Sequence, residues 1–154
     1  MIRDVLRMGD PRLWLVSEPV KDFSSPELAE LLQDMRDTMA HLSGAGLAAP
    51  QIGVPLRVVI FGVHANPRYP DVDEVPDTVL INPVITPVGN EIVEDWEGCL
   101  SIPDIRGRVP RVRSIKVSAL DRTGSPIDIT SHDFPARVIQ HETDHLDGVL
   151  FFDR

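Results

Sequence analysis

The chain has 154 residues, 42% of them hydrophobic, and a formal net charge of −9. That is long enough for one domain with a real core and too apolar for general disorder, and so acidic a balance argues against a protein built to sit on DNA phosphates. No apolar run approaches the roughly 20 residues of a membrane span, and the opening MIRDVLRMGDPRLW lacks the apolar stretch of a secretory signal, so an intracellular protein is expected.

Fourteen prolines cut the chain into short elements. The first is a helix in SSPELAELLQDMRDTMAHLSG, where Leu28, Leu31, Leu32, Met35, Met39 and Leu42 form one apolar stripe. Ser24 or Ser25 can cap it, Ser24 with Glu27 has capping-box spacing, and Gly44 can end it in a left-handed conformation. LRVVIFGV (56–63) and TVLIN (78–82) read as strands, with a Pro- and Asp-rich loop, HANPRYPDVDEVPD, between them. EIVEDWEG alternates as a strand does. RVRSIKVSAL and SPIDIT flank a turn at Asp121–Gly124 and read as a hairpin. A last helix is expected from about Pro135 to Asp147, with Gly148 as its stop. One helix, several strands and one helix make an α+β fold with antiparallel sheets packed around the C-terminal helix, as a single domain over residues 1–154.

Chemistry concentrates in QHETDHLDG (140–148). His141 and His145 are four residues apart, so on a helix they share one face and can bind one metal ion. Glu142 is offset by about 100° and stands beside such an ion, where a carboxylate can exchange protons with water. A catalytic site also needs a third protein ligand and an open position. Phe151 stands where one common zinc-protease pattern would place a third histidine, and too little chain follows for a distant downstream glutamate. The third ligand must lie upstream.

The single cysteine, Cys99, cannot form an internal disulfide, and read alone it is a small buried hydrophobe. In WEGCLSIP it follows a glycine that permits a tight backbone, and a thiolate with two imidazoles and a water makes a sensible tetrahedral site. The Leu100 N–H, next in the chain, can face an oxyanion. In GAGLAAPQ (44–51) small residues allow a ligand close to the backbone, and the Gln51 amide can donate to a carbonyl oxygen. Arg106, Arg108, Arg111 and Arg113 make either a local basic patch or a set of solvated arginines flanking a strand.

Together GAGLAAPQ (44–51), EGCLS (97–101) and QHETDH (140–145) resemble the three signature motifs of the peptide deformylase family, in the family's order and across nearly the whole chain. The resemblance implies a metal-dependent hydrolase that removes the formyl group from formyl-methionyl peptides of newly made proteins. It implies Cys99, His141 and His145 as ligands of one divalent ion, Fe²⁺ in cells, with Zn²⁺, Ni²⁺ or Co²⁺ able to take its place. Glu142 would be general base and acid, and Gln51 with the Leu100 N–H would hold the formyl oxygen. Ala45, Gly46, Gly98 and Arg106 would bind the peptide as an added strand. The cytoplasm of a bacterium, or an organelle, is the implied location. The ribosome is a candidate partner; some members dock on it through a C-terminal tail, and the nine residues that follow His145 here put that docking in doubt. The same histidine chemistry would serve a metallopeptidase, whose further downstream ligand is missing, and a structural metal module would need a fourth ligand where three are in sight.

Overall fold

The computed structural model describes residues 1–64, 66 and 72–153. The expected loop between the first two strands lies partly outside them. Helix α1 spans Pro26–His41. Ser25 is its cap, with extended backbone and an Oγ that accepts the Leu28 N–H at 3.2 Å. The box between Ser24 and Glu27 does not form, because the Ser24 hydroxyl turns back to Asp22 at 2.7 Å. At the other end the Gly44 N–H reaches the Met39 carbonyl at 3.0 Å and the Ser43 N–H that of Ala40 at 3.3 Å. This is the paired-bond helix stop, but the left-handed residue is Ser43, at φ 53°, and not the expected Gly44.

The strands are β1 (Gly46–Ala48), β2 (Val58–Val63), β3 (Val75–Pro87), β4 (Ile92–Cys99), β5 (Ile102–Val112), β6 (Ser114–Leu120) and β7 (Pro126–His132). Five of them form an antiparallel sheet in the order β1-β2-β3-β6-β7, and β4 with β5 forms a separate ribbon. The β6–β7 hairpin turns as expected, with the Asp121 carboxylate accepting from the backbone of Thr123 and Ser125. Two strands were not foreseen. β1 hides in a short run of small residues, and β5 in an arginine- and proline-rich segment.

Every residue of β2 is buried, which fits its unbroken apolar sequence. Alternation along the strand sends Val58 and Ile60 to the α1 stripe of Leu28, Leu31, Leu32, Met35 and Met39. Its neighbour Phe61 faces the other way, into a second cluster with Leu80, Ile115 and Val117. Helix α2, Asp133–Leu146, closes that second face with Ala136 and Ile139. Asp133 stands at φ 57° and its N–H bonds to Arg113, so regular helical turns begin just past it, near the expected Pro135. The order of layers is therefore α1, sheet, α2 and ribbon. Among the described residues no helix is long and apolar enough to cross a membrane.

Helix α2 stops at Gly148, whose φ is 76°, and the Val149 N–H returns to the Asp144 carbonyl at 2.9 Å. A Cβ there would sit 2.5 Å from the Trp14 carbonyl oxygen. Gly148→Ala is expected to cost about 1–2 kcal/mol for the left-handed backbone alone, with the clash in addition. Urea unfolding should show a lower midpoint at an unaltered slope; an unchanged midpoint would mean that the Trp14 segment moves aside freely.

Candidate metal centre

Helix α2 is buried on two stripes of opposite character. Ala136 and Ile139 face the sheet, while Arg137, Gln140, His141 and Asp144 bond to the ribbon or its edge. Positions 137, 141 and 144 lie one helical turn apart, so the polar stripe is as regular as the apolar one. It brings His141 and His145 up to Cys99 at the end of β4. The Cys99 Sγ, one nitrogen of His141 and one of His145 all lie within 4.8 Å of one another, and all three residues are buried. Sγ is 3.4 Å from His145 Nε2, and the two rings meet edge to face at 5.1 Å. One thiol and two imidazoles converging on a single point can hold a divalent ion.

Glu97, two residues before Cys99, accepts a bond from His141 Nδ1 at 2.9 Å. The same carboxylate takes Arg111 Nε and Nη2, each at 2.9 Å, and Arg137 Nη1 at 2.6 Å. Burial would push the Glu97 pKa up, but the hydrogen bonds from His141 and Arg111 outweigh it and hold the group down at about 2. An ionised carboxylate can only accept, so His141 Nδ1 carries a proton and Nε2 is the nitrogen left to face an ion, which would take the place of a second proton. Arg111 also pairs with Asp144 on α2 at 2.5 Å. Burial, with the charges of His141 and Arg111, presses the His145 pKa well below its usual value, which suits a neutral ligand.

Glu142 is buried beside the donor set, with Oε1 4.0 Å from His145 Nε2 and without a hydrogen-bond partner. Burial pushes its pKa up to about 7, against the pull of His141. A carboxyl poised near neutrality at a metal centre can take a proton and return it. Across from it, a Cβ on Gly46 would come within 2.7 Å of Glu142 Oε2, so only glycine lets the β1 backbone approach. Gln51 is held by both ends of its amide. Its Oε1 accepts the Ala48 N–H at 2.9 Å, and its Nε2 lies 3.1 Å from Ser101 Oγ and 3.6 Å from Cys99 Sγ.

A cavity opens from the donor set between β1, the ribbon and α2. Ala45, Gly46, Gly98 and Leu100 line it together with His141 and Glu142. Arg106 is Gly98's partner in the β4–β5 register, yet it lines an adjoining groove, which shares Cys99 and Leu100 with this cavity. Sequence reading missed the residues around the donors: Glu97, Ser101, Arg111, Arg137 and Asp144. The four arginines do not make a free basic patch. Arg111 is buried in ion pairs, Arg113 pairs with Glu91 and Asp133, and Arg108 lies over the Trp96 ring. The signal for Arg111 was its place two residues after the inward-facing Val109 on a strand, and for Arg137 and Asp144 their helical spacing from His141.

The sequence model of the polypeptide deformylase family matches residues 2–154. A peptide deformylase of Nitrosomonas europaea is 60% identical over 151 residues, which cover 98% of this chain and 86% of that protein. One from Bordetella pertussis is 54% identical over the same shares of the two chains. Among solved structures, a class I type b peptide deformylase of Acinetobacter baumannii bound to Met-Ala-Ser superposes with a TM-score of 0.95 at 40% identity, covering 100% of this chain and 98% of that one. A peptide deformylase of Legionella pneumophila superposes with a TM-score of 0.88 at 40% identity, covering 99% and 85%.

Glu97→Gln removes the charge that balances Arg111 and Arg137 and weakens the hold on His141 Nδ1. Divalent-metal affinity, read by competition with a chelating dye, is expected to fall about 10–100-fold, the usual effect of losing a ligand's outer partner. An unchanged affinity would show that His141 is oriented without Glu97.

Proposed function

The chain belongs to the polypeptide deformylase family, enzymes that remove the formyl group from the N-terminal methionine of newly made proteins, and we propose that Cys99, His141 and His145 hold the metal ion of this activity while Glu142 moves the protons. The observation that carries the proposal is the convergence of one thiol and two imidazoles within 4.8 Å, beside a buried carboxyl whose Oε1 has no hydrogen bond. The surroundings fit a cation. Glu97 and Glu142 lie against the donors, and together with Cys99 they outweigh burial and raise the His141 pKa well above its usual value. A divalent ion answers that demand for positive charge. Thiolate and imidazole donors suit Fe²⁺, and also Zn²⁺, Ni²⁺ and Co²⁺.

When bound, the ion supplies Lewis acidity that makes water a nucleophile near neutral pH. The chain's own groups do the rest. The substrate's backbone lies as an added strand between Gly46 on β1, with Ala45 just before it, and Gly98 on β4, with Arg106 further along. Gln51 Nε2 and the Leu100 N–H receive the formyl oxygen as negative charge builds on it. Glu142 takes a proton from the attacking water. The new C–O bond forms at the formyl carbon, the C–N bond breaks, and Glu142 returns the proton to the leaving amine. Formate and a free N-terminus result. Residues 1–154 act as one catalytic domain in this reading. Nascent chains in a bacterial cytoplasm or an organelle are the source of such substrates.

The test is formate release from formyl-Met-Ala-Ser by the metal-loaded protein under argon, with unformylated Met-Ala-Ser and an internal-bond peptide as controls. Release of formate alone is expected; cleavage of the controls would favour a metallopeptidase. Glu142→Gln should keep the metal and lose at least about 10²–10⁴-fold in turnover. Parallel loss of metal would instead make Glu142 a ligand. Cys99→Ser should weaken metal binding or change which ion is preferred, because a hydroxyl is a poor replacement for a thiolate. Full metal content and activity in that variant would remove Cys99 from the donor set.

A further inference from the structure

The β4–β5 ribbon carries Glu97, Gly98, Cys99 and Leu100, yet it shares no strand with the main sheet. Two strands alone are marginal in water. The ribbon's position therefore comes from what it packs against: the Met8 N–H on the Ser101 carbonyl, Gln51 on Ser101, Phe151 against Ile102 and Val109, and a set of buried ties to α2. Gln140 bonds to Val112 at the ribbon's far end, and Arg111 pairs with Asp144. At the cavity itself His141 bonds to Glu97, and Arg137 is the lining residue that reaches both strands. Its buried guanidinium donates to the Val93 carbonyl on β4 at 2.6 Å, to the Val109 carbonyl on β5 at 2.7 Å and to Glu97 Oε2 at 2.6 Å. One helical side chain thus grips both strands and the carboxylate between them.

Arg137 also lines the cavity, between Trp96 on the ribbon and Phe134 and Val138 on the helix. With three N–H groups spent on fixed acceptors, the charged end is held away from a ligand. The gap between ribbon and helix at this point is one arginine long. We propose that Arg137 is a positioning residue that sets the width of this cavity, and so the enzyme's preference for an unbranched methionine side chain over a broader one. The proposal rests on the deformylase reading above and adds to it the residue that enforces side-chain selectivity.

Lysine at this position keeps the charge and the stem, but a single ammonium on a flexible chain cannot reproduce the planar fork that spans two strands. Arg137→Lys, and Arg137→Gln as a second variant, would be compared with wild type, all loaded with nickel. We expect the KM for formyl-Met-Ala-Ser to rise about tenfold, and the kcat/KM ratio of formyl-Met-Ala-Ser over formyl-Phe-Ala-Ser to fall about tenfold, a range one contact in an apolar pocket can supply. Amides of β4 and β5 should exchange faster with deuterium while those of β2 and β3 keep their protection. An unchanged Met-to-Phe ratio would overturn the proposal, as would activity lost only in proportion to metal content, because Arg137 would then act solely through Glu97. Ribbon amides as protected as in wild type would equally overturn it. If wild type itself releases no formate, the deformylase reading fails, and the exchange comparison still decides whether Arg137 is the clamp.

Discussion

A single buried carboxylate, that of Glu97, accepts four hydrogen bonds from three side chains on two elements, and the rest of the site depends on it. An isolated buried charge costs several kcal/mol, so Glu97 can stay ionised only while Arg111, Arg137 and His141 are all in place. Those partners sit on β5 and α2, whereas Glu97 sits on β4. Satisfying one charge therefore fixes the ribbon against the helix. It also settles the chemistry two residues further on. Cys99 arrives at the end of the same strand, and His141, its Nδ1 proton committed to Glu97, presents the other nitrogen. Asp144 balances Arg111 from the helix side, so the two arginines are matched by two carboxylates before any ion is counted.

The fold around this hub separates two tasks. The sheet between α1 and α2 supplies the apolar burial, with β2 buried on both faces. Stability of that kind leaves β1 as the outer strand of the sheet, next to the donors. An outer strand offers unpaired backbone groups, which are a liability on an exposed surface and an asset beside an active site. Gly46 shows the constraint directly. Its missing side chain is what allows the strand to pass within contact of Glu142.

Much of this was legible in the sequence because local rules and global fold agree there. The stripe in α1, the apolar run of β2, the hairpin turn at Asp121–Gly124 and the histidine spacing on α2 each follow one period or one turn rule. The three converging donors could be named because cysteine and histidine at such positions have few other uses together. The polar stripe on α2 was harder to read. Arg137 lies among apolar residues, and Arg111 among other arginines, and nothing local distinguishes a buried arginine from a solvated one. Its partners come from strands far away in sequence, and only the assembled ribbon shows them. β5 was missed for a related reason: its arginines and prolines lower strand propensity, and pairing with β4 outweighs that deficit. The stop of α1 fell on Ser43 and not on Gly44 because the helix runs one residue shorter than the glycine suggests, leaving the left-handed position to serine.

The central claim is that a Glu97-oriented histidine, its neighbour one turn on and the chain's one cysteine bind a single ion. X-ray absorption at the metal edge of the nickel- or zinc-loaded protein tests it most directly. One sulfur scatterer is expected, at about 2.3 Å for zinc, and two imidazole nitrogens at about 2.0–2.1 Å, with a light atom completing the shell. A shell of nitrogen and oxygen alone, or one with a single imidazole, would contradict it.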